Sequence, residues 1–516
     1  MTLLRSIITV SGFTLLSRIL GFCRDILIAA YLGTGVLADV FFVSFKIPNL
    51  FRRLFAEGAF NSAFIPLFAG ILEKEGKVKA QEFGEQALSV LLWSMLIFVG
   101  CFQIMMPYLM IGFAPGFLED SEKFNLAILL TRITFPYLLF ISLVSLMSGV
   151  LNSLGKFAAA AATPILLNIC LISAIIIVSS YTQTTAHALA WGVSCAGIIQ
   201  FVWLLYNCCR SGIWLRLIIP RLTENIQKMI SRILPAAIGA GVYQISLLID
   251  TILASFLPSG SISFLFFADR VNQLPLGVIG VAAGTALLPI MSRKLRAGDQ
   301  KGALESQNRA IEFSLFLSLP ATFALVVLAQ PIISVLFERG QFNAASVEAT
   351  GGALAIYALG LPAYVVIKAI VPGFFAREDT STPVKVAVCA LFINLTMNLI
   401  LMGPFLHLGI AFATAISAWF NAVVLVFILK RRGNFNLDLR NCIKLPRILL
   451  ASAMMGVVLF FSSTFLNDYL IDGIMIKIIT VTILVIGGLI IYCSFAFFFG
   501  AIKLEDVRQM IERKPT

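Results

Sequence analysis

The chain has 516 residues, 59% of them hydrophobic and only 12% charged, with a net charge of +12 and a mean hydropathy of +0.96. A soluble chain carries about a quarter charged residues, so a water-soluble enzyme or nucleic-acid-binding domain is excluded. The apolar stretches are too long and too many for anything but a polytopic membrane protein.

Fourteen spans are predicted in chain order, at roughly 2–32, 36–71, 84–112, 126–152, 158–180, 186–208, 226–256, 262–292, 308–336, 347–375, 384–402, 408–430, 446–466 and 473–500. The first imitates a signal peptide. It carries Arg18, Arg24 and Asp25 within its apolar run and has no small-residue cleavage site, so it reads as a retained helix. Turn chemistry separates the spans, as at Gly33-Thr-Gly35, Pro258-Ser-Gly260 and Gly403-Pro404. With the N-terminus inside, the inside segments hold 27 of the 38 Lys and Arg residues, and the outside loops hold only Lys123 and Arg339. That asymmetry predicts cytoplasmic N- and C-termini and an even number of spans. It also accounts for the net charge without any nucleic acid as partner.

The sequence repeats with a period near 223 residues. Ala63-Phe-Ile-Pro-Leu67 matches Ala286-Leu-Leu-Pro-Ile290, Phe135-Pro136-Tyr137 matches Leu361-Pro362-Ala363-Tyr364, and Leu166-Leu-Asn168 matches Phe392-Ile-Asn394. Six spans per repeat give both halves the same orientation, which makes a parallel repeat about an axis along the membrane normal. The expected fold is all-α with fourteen transmembrane helices, in two six-helix lobes plus two extra C-terminal helices. The expected divisions are an N-lobe at 1–210 (spans 1–6), a cytoplasmic linker at 211–224, a C-lobe at 225–432 (spans 7–12), and spans 13 and 14 with a tail at 433–516.

Charges fall inside the spans as well, and eight of them crowd the first two away from the span ends. A charge at mid-bilayer costs at least ~2.5–3.5 kcal/mol, so each of these must face water, a partner or a charged ligand. In span 2, Asp39, Lys46 and Arg53 are spaced by seven, Asn49 precedes Arg53 by four, and Glu57 follows it by four. These share one helical stripe. In span 1, Arg18 and Asp25 are seven apart, with Ser17 beside that face. Two readings stand. One is a buried ion-pair network, Asp25 with Arg24 and Glu57 with Arg53, that only ties helices together. The other starts from the surplus of bases: Arg18, Arg24, Lys46, Arg52 and Arg53 against Asp25, Asp39 and Glu57. Guanidinium groups bind phosphate oxygens bidentately, so such a surplus suits a phosphate or pyrophosphate.

The second half offers Asp250 in span 7 and Asp269 with Arg270 in span 8; Arg270 is expected to contact the same anion across a central cavity. Asp250 has two readings: an ion pair with Arg270 or Lys368, or a cation site with Asp379 or Asn394. Lys477 is expected to snorkel to the outer interface. Spans 13 and 14, almost wholly apolar, suit either added bulk or a groove for a lipid tail. The nine scattered cysteines read as small buried residues, the two histidines have no ligand-spaced neighbours, and no phosphate-loop motif is present. No metal, cofactor or catalytic constellation is expected.

Three stretches resemble a known family. They are Ser17-Arg18-Ile-Leu-Gly21-Phe-Cys-Arg24-Asp25 with Ala38-Asp39 through Lys46-Ile-Pro48-Asn49-Leu-Phe-Arg52-Arg53 to Glu57-Gly58; Ala268-Asp269-Arg270-Val-Asn-Gln-Leu-Pro275 with Gly277 to Pro289; and Asp379-Thr-Ser-Thr-Pro383. Together they resemble the MurJ (MviN) lipid II flippases, over essentially the whole chain. The resemblance implies the multidrug/oligosaccharidyl-lipid/polysaccharide exporter fold. It implies translocation of undecaprenyl-pyrophosphate-linked peptidoglycan precursor across the bacterial inner membrane, without enzymatic chemistry. It assigns cavity roles to Arg18, Arg24, Asp39, Arg52, Arg53, Glu57 and Arg270 and a polyprenyl groove to spans 13 and 14. Some members hold a sodium ion, for which Asp250, Asp379 and Asn394 are the candidates here. Ser17 and Asn49 join the arginines as expected substrate contacts, while Asp25, Asp39, Lys46, Glu57 and Asp269 form the expected charge network or gate. The expected partners are lipid II, the phospholipid bilayer and cell-wall synthesis proteins, with membrane potential or Na+ as the energy source. Competing readings are an exporter of another polyprenyl-linked saccharide, a drug or cation antiporter of the same fold, and a non-transporting scaffold.

Overall fold

The computed structural model describes residues 3–53, 60–471 and 473–501, with side chains described at all of these except 3–7, 234–243, 281–286 and 471. Glu57 and the C-terminal bases Lys503, Arg508, Arg513 and Lys514 lie outside the described residues. Among the described residues there is no strand, and every one of the fourteen predicted spans falls on helix. Nine helical stretches among them, taking Ser121–Ser153 as one, are long and apolar enough to cross a membrane.

The chain divides into two compact units. The first, Met1–Ser263 with Arg339–Phe342, contains α1 (Leu3–Leu32), α2 (Val36–Phe51), α3 (Asn61–Lys74), α4 (Lys77–Phe113), α5 (Ser121–Thr134), α6 (Tyr137–Ser153), α7 (Phe157–Ile176), α8 (Thr185–Arg210) and α9 (Glu224–Ala254). Within it α1 packs on α7, α7 and α6 pack on α8, and α2 packs on α5. The core is aromatic, with Phe41, Phe64, Phe135 and Tyr137 fully buried. Sequence order makes α9 the opening helix of the second repeat, yet it packs on α3 and α4 and belongs spatially to the first unit.

The second unit, Phe264–Glu338 with Asn343–Thr516, takes up α10 (Ser261–Arg296) after its first three residues, which belong to the first unit, and runs through α11 (Gln300–Val327), α12 (Ala329–Phe337), α13 (Ala344–Phe375), α14 (Ser381–Arg431), α15 (Leu439–Phe465), α16 (Asn467–Ile471) and α17 (Ile474–Phe498). Here α13 packs on α14 and α11, and α11 packs on α15, which packs on α17. Predicted spans 11 and 12 run together as α14, broken at Leu406 (φ 51°, ψ −131°) just after Gly403-Pro404. Proline removes a backbone donor and the left-handed residue turns the chain, so two spans meet at a bend with no loop between them.

Loop residues set several helix starts. Asp120 accepts from Glu122 N and Lys123 N at the head of α5, and Asp299, Asn343 and Asp438 cap α11, α13 and α15. The two C-terminal spans are tied to the second unit by a cluster of Leu328, Ile448, Ala451, Met455, Leu459 and Leu484, and by the Tyr492 hydroxyl, which donates to Phe316 O at 2.7 Å. Their other faces expose Phe461, Ile486 and Leu489, as helices in contact with lipid do. Lys477 does more than snorkel. Its Nζ reaches Glu338 Oε2 at 2.9 Å and Ser334 Oγ at 3.3 Å, which links α17 to α12. The pair is part-exposed, so Lys477→Ala is expected to lower stability by no more than about 1 kcal/mol. It should leave transport intact, as measured by thermal unfolding in detergent alongside a transport assay.

Candidate functional site

The first unit turns the charge cluster of α1 and α2 into three distinct arrangements. The deepest is built on α1. Arg24 and Asp25 are both buried, at 7% and 2% exposure. Arg24 donates to Asp25 Oδ1 from Nε (3.0 Å) and Nη2 (2.7 Å), and to Asn168 Oδ1 from Nη1 (3.0 Å). Asn168 in turn donates from Nδ2 to Ser17 O at 2.9 Å, about two turns back along α1 from Arg24. A guanidinium held by two acceptors is fixed in direction and keeps further N–H groups to offer. Ser17 therefore contributes its backbone carbonyl to the arrangement. Arg18, on the same helix, is exposed.

Asn168 carries a role that the sequence did not reveal. It was visible only as part of a repeat match, because an asparagine in an apolar helix names no partner. Asn168→Ala leaves one Arg24 donor without its acceptor, a loss of roughly 1–3 kcal/mol for a buried group. Lipid translocation should fall at least tenfold while the protein stays in the membrane. Asn168→Asp, which keeps the acceptor, should retain more activity.

The second arrangement follows from Pro48 in α2. Proline has no N–H to give to the carbonyl of Ser44, four residues back. Thr134 Oγ1 of α5 donates to that carbonyl instead, at 2.8 Å, and Thr131 Oγ1 reaches Ser44 Oγ at 3.0 Å. Irregular backbone within a membrane is tolerated where neighbouring hydroxyls satisfy it in this way. Beyond the proline, Asn49 donates to Phe45 O at 2.9 Å and accepts from Arg52 Nε at 2.9 Å. Asn49 thus orients Arg52, and the exposed Arg53 follows. Lys46 donates to Thr251 Oγ1 of α9, beside a shallow, mostly apolar niche walled by Val43, Leu50 and Leu248.

The third lies at the start of α2. Asp39 is buried and accepts from Gly260 N (2.7 Å), Ser263 N (2.9 Å) and Ser263 Oγ (2.6 Å). The carboxylate is therefore the N-terminal cap of α10, supplied from another helix. The partial positive charge of that helix end stabilises it. Lys123 adds charge at 3.9 Å and itself donates to Ser259 Oγ at 3.2 Å. Asp39 reads here as a tie between the head of α2 and the turn before α10.

In the second unit, Arg270 lies over the Phe266 ring at 5.0 Å, and Asp269 accepts from Gln273 Nε2 at 3.2 Å. Lys368 of α13 runs along α10 at Gly280, where an added Cβ would come within 2.6 Å of its Cδ and the lysine side chain would have to shift. Of the three residues proposed for a cation, Asp250 belongs to the first unit, and Asp379 and Asn394 to the second. Asp379 heads α14: it accepts from Thr382 N at 2.9 Å, from Thr382 Oγ1 at 2.6 Å and from Arg432 Nη1 at 2.6 Å. The Thr382 hydroxyl and amide, then Arg432, hold its carboxyl well below the usual range. A depressed carboxyl contributes stability above its unfolded pKa, about 4, and loses it as pH falls. Acidification from pH 7 to 5 should therefore leave this contact intact. Asn394 is buried and accepts from Asn398 Nδ2 at 3.1 Å. Among the described residues no group of three or more His, Cys, Asp or Glu could hold a metal ion.

Comparison with known proteins gives this geometry its context. The family model for the lipid II flippase MurJ matches residues 28–481. The chain belongs to the MurJ lipid II flippase family. A probable lipid II flippase MurJ of Rhizobium tropici is 44% identical over 100% of this chain and 97% of its own length. One from Rickettsia prowazekii is 36% identical over 98% and 99%. Among solved structures, a lipid II flippase MurJ in an inward closed conformation is similar with TM-score 0.79 and 27% identity, over 95% of this chain and 99% of that one. An inward-facing multidrug resistance MATE family transporter shares the fold alone, at TM-score 0.66 and 13% identity. The chain is thus a polytopic membrane protein of the MurJ family, a transporter in kind and no enzyme.

Proposed function

We propose that this chain moves lipid II from the cytoplasmic to the periplasmic leaflet of the bacterial inner membrane, by alternating access through a cationic central cavity. Its termini are cytoplasmic, in keeping with the distribution of Lys and Arg. Membership of the family supports the substrate. The observation that carries the mechanism is the buried Arg24, aimed by Asp25 and Asn168 and accompanied by more bases than acids in the first two spans.

In this reading Arg24, Arg52, Arg53 and Arg270, with Arg18, hold the pyrophosphate. A pyrophosphate offers several oxygens, and guanidinium groups in a water-poor site bind them more strongly than in water. Asp25 and Glu57 balance the arginines when no substrate is present, Asp39 holds the head of α2 to the turn before α10, and Asn49 and Ser17, the latter through Asn168, fix the arginines' directions. The undecaprenyl tail stays in lipid against the apolar faces of α15 and α17. Membrane potential supplies ~2.3 kcal/mol per charge per 100 mV, enough to bias the return step, and a Na+ gradient through Asp250, Asp379 or Asn394 is the other source. Cell-wall synthesis proteins are natural partners on the receiving side. The drug or cation antiporter reading predicts an acid-rich cavity, against the surplus of bases here. The test is externalisation of lipid II in cells whose sole copy carries Arg18→Ala, Arg24→Ala or Arg270→Ala. Each should abolish it with the protein still in the membrane, and normal externalisation in all three would end the anion-cavity reading.

A further inference from the structure

The segment between α8 and α9 has no helix, yet it is ordered by a ladder of contacts to one stripe of α4. Gln81 Nε2 donates to Trp214 O at 2.8 Å, Arg216 N donates to Glu85 Oε1 at 3.3 Å, and Ile218 N donates to Ser89 Oγ at 3.0 Å. The α4 partners are spaced by four and the strap partners by two. Eight helical residues rise ~12 Å and four extended residues span ~13 Å, so the two repeats stay in step. Ile213 is fully buried beneath the strap. Leu215 seats on Gly84, where an added Cβ would come within 2.9 Å of the leucine.

This register fixes what faces outward. Trp214, Leu217, Ile219 and Leu222 are 63%, 65%, 78% and 64% exposed, and Arg216 and Arg221 are exposed among them. The ladder starts beside the charged first turns of α4 (Lys77, Lys79, Glu82, Glu85) and ends at Ser89, within that helix's apolar run. The strap therefore descends from water to the edge of the hydrocarbon. Tryptophan, aliphatic side chains and arginines interleaved at that depth are the composition of an interfacial anchor. The one acid at its end, Glu224, is paired with Lys228, so the outward face is net positive.

We propose that residues 213–222 form an interfacial anchor for anionic phospholipid. The four apolar side chains enter the headgroup–acyl boundary, and Arg216 and Arg221 bind lipid phosphates. The proposal rests on the cytoplasmic placement of this segment argued above. Its occupant is the leaflet itself, because the arginines complement anionic headgroups and the strap ends where its own supporting helix becomes apolar.

The experiment uses the full chain in nanodiscs, with Trp93, Trp191, Trp203 and Trp419 replaced by Phe so that only Trp214 reports. Lipids brominated near the headgroup should quench Trp214, and quenching should deepen when phosphatidylglycerol replaces phosphatidylcholine. In parallel, native mass spectrometry of the otherwise unaltered protein should show retained phosphatidylglycerol. That retention should fall about tenfold or more in Arg216→Gln/Arg221→Gln, following the weight of two basic residues at an anionic surface. Unquenched Trp214 emission, whether water-like from an open strap or blue-shifted from a protein-covered one, would overturn the proposal. So would equal retention of phosphatidylglycerol by the parent and the double variant. Either result alongside normal lipid II externalisation would reject the anchor and leave the transport reading standing.

Discussion

Arg24→Ala is expected to lose lipid II translocation entirely and to lose stability as well. Removing one partner of a buried ion pair leaves the other charge uncompensated, at a cost of roughly 3–5 kcal/mol. Asp25 is 2% exposed and would be that charge. Loss of activity in this variant therefore has two sources, a missing anion ligand and a strained α1. A double variant, Arg24→Gln with Asp25→Asn, separates them. It removes both charges together and keeps hydrogen-bonding groups at both positions, so most of the stability should return. Translocation should not return, because an amide cannot supply the charge that a pyrophosphate requires. Arg24→Lys keeps the charge but cannot span Asp25 and Asn168 with a planar fork, and should fall between the extremes. Thermal unfolding in detergent reads the stability, and externalised lipid II reads the function.

The second large effect is expected at Asp39. Asp39→Ala would strip the acceptor from Gly260 N, Ser263 N and Ser263 Oγ at once. Loss of an N-terminal cap alone costs ~0.5–2 kcal/mol, and buried donors left without acceptors add about 1–3 kcal/mol each. A stability loss of at least ~2 kcal/mol is expected, with a corresponding fall in the unfolding temperature. Asp39→Asn retains an acceptor without the charge and should lose about half as much. Translocation should decline in the same order, since the head of α2 carries the helix that presents Asn49 and Arg52. An unaltered unfolding temperature in Asp39→Ala would show that the cap contributes nothing.

Much of this architecture was legible in the residues, for physical reasons. Hydropathy put the predicted spans on helix among the described residues, because a membrane helix needs a long apolar run and little else. The charges in α1 and α2 stood out because they are costly there. What the sequence could not supply was pairing. Arg24 and Asp25 form a buried pair, as the ion-pair reading expects, and Arg24 is also held by Asn168, which neither reading names. Asp39 was expected in a charge network, but its main partners are backbone amides, which no sequence pattern displays. Lys477 and Glu338 lie far apart in the chain and meet only because α17 packs on α12. The grouping of α9 with the first unit was hidden for a similar reason. A repeat in sequence order fixes equivalence, while packing fixes company.

The most direct test of the account is the exposure of lipid II at the outer face of cells whose only copy of the protein is Arg24→Gln/Asp25→Asn. Protein level and unfolding temperature must first be matched to the parent. The account predicts that lipid II stays inaccessible from outside despite a folded protein in the membrane. Externalisation at the parental level would contradict it, and would reduce Arg24 and Asp25 to an ion pair that only holds α1 in place.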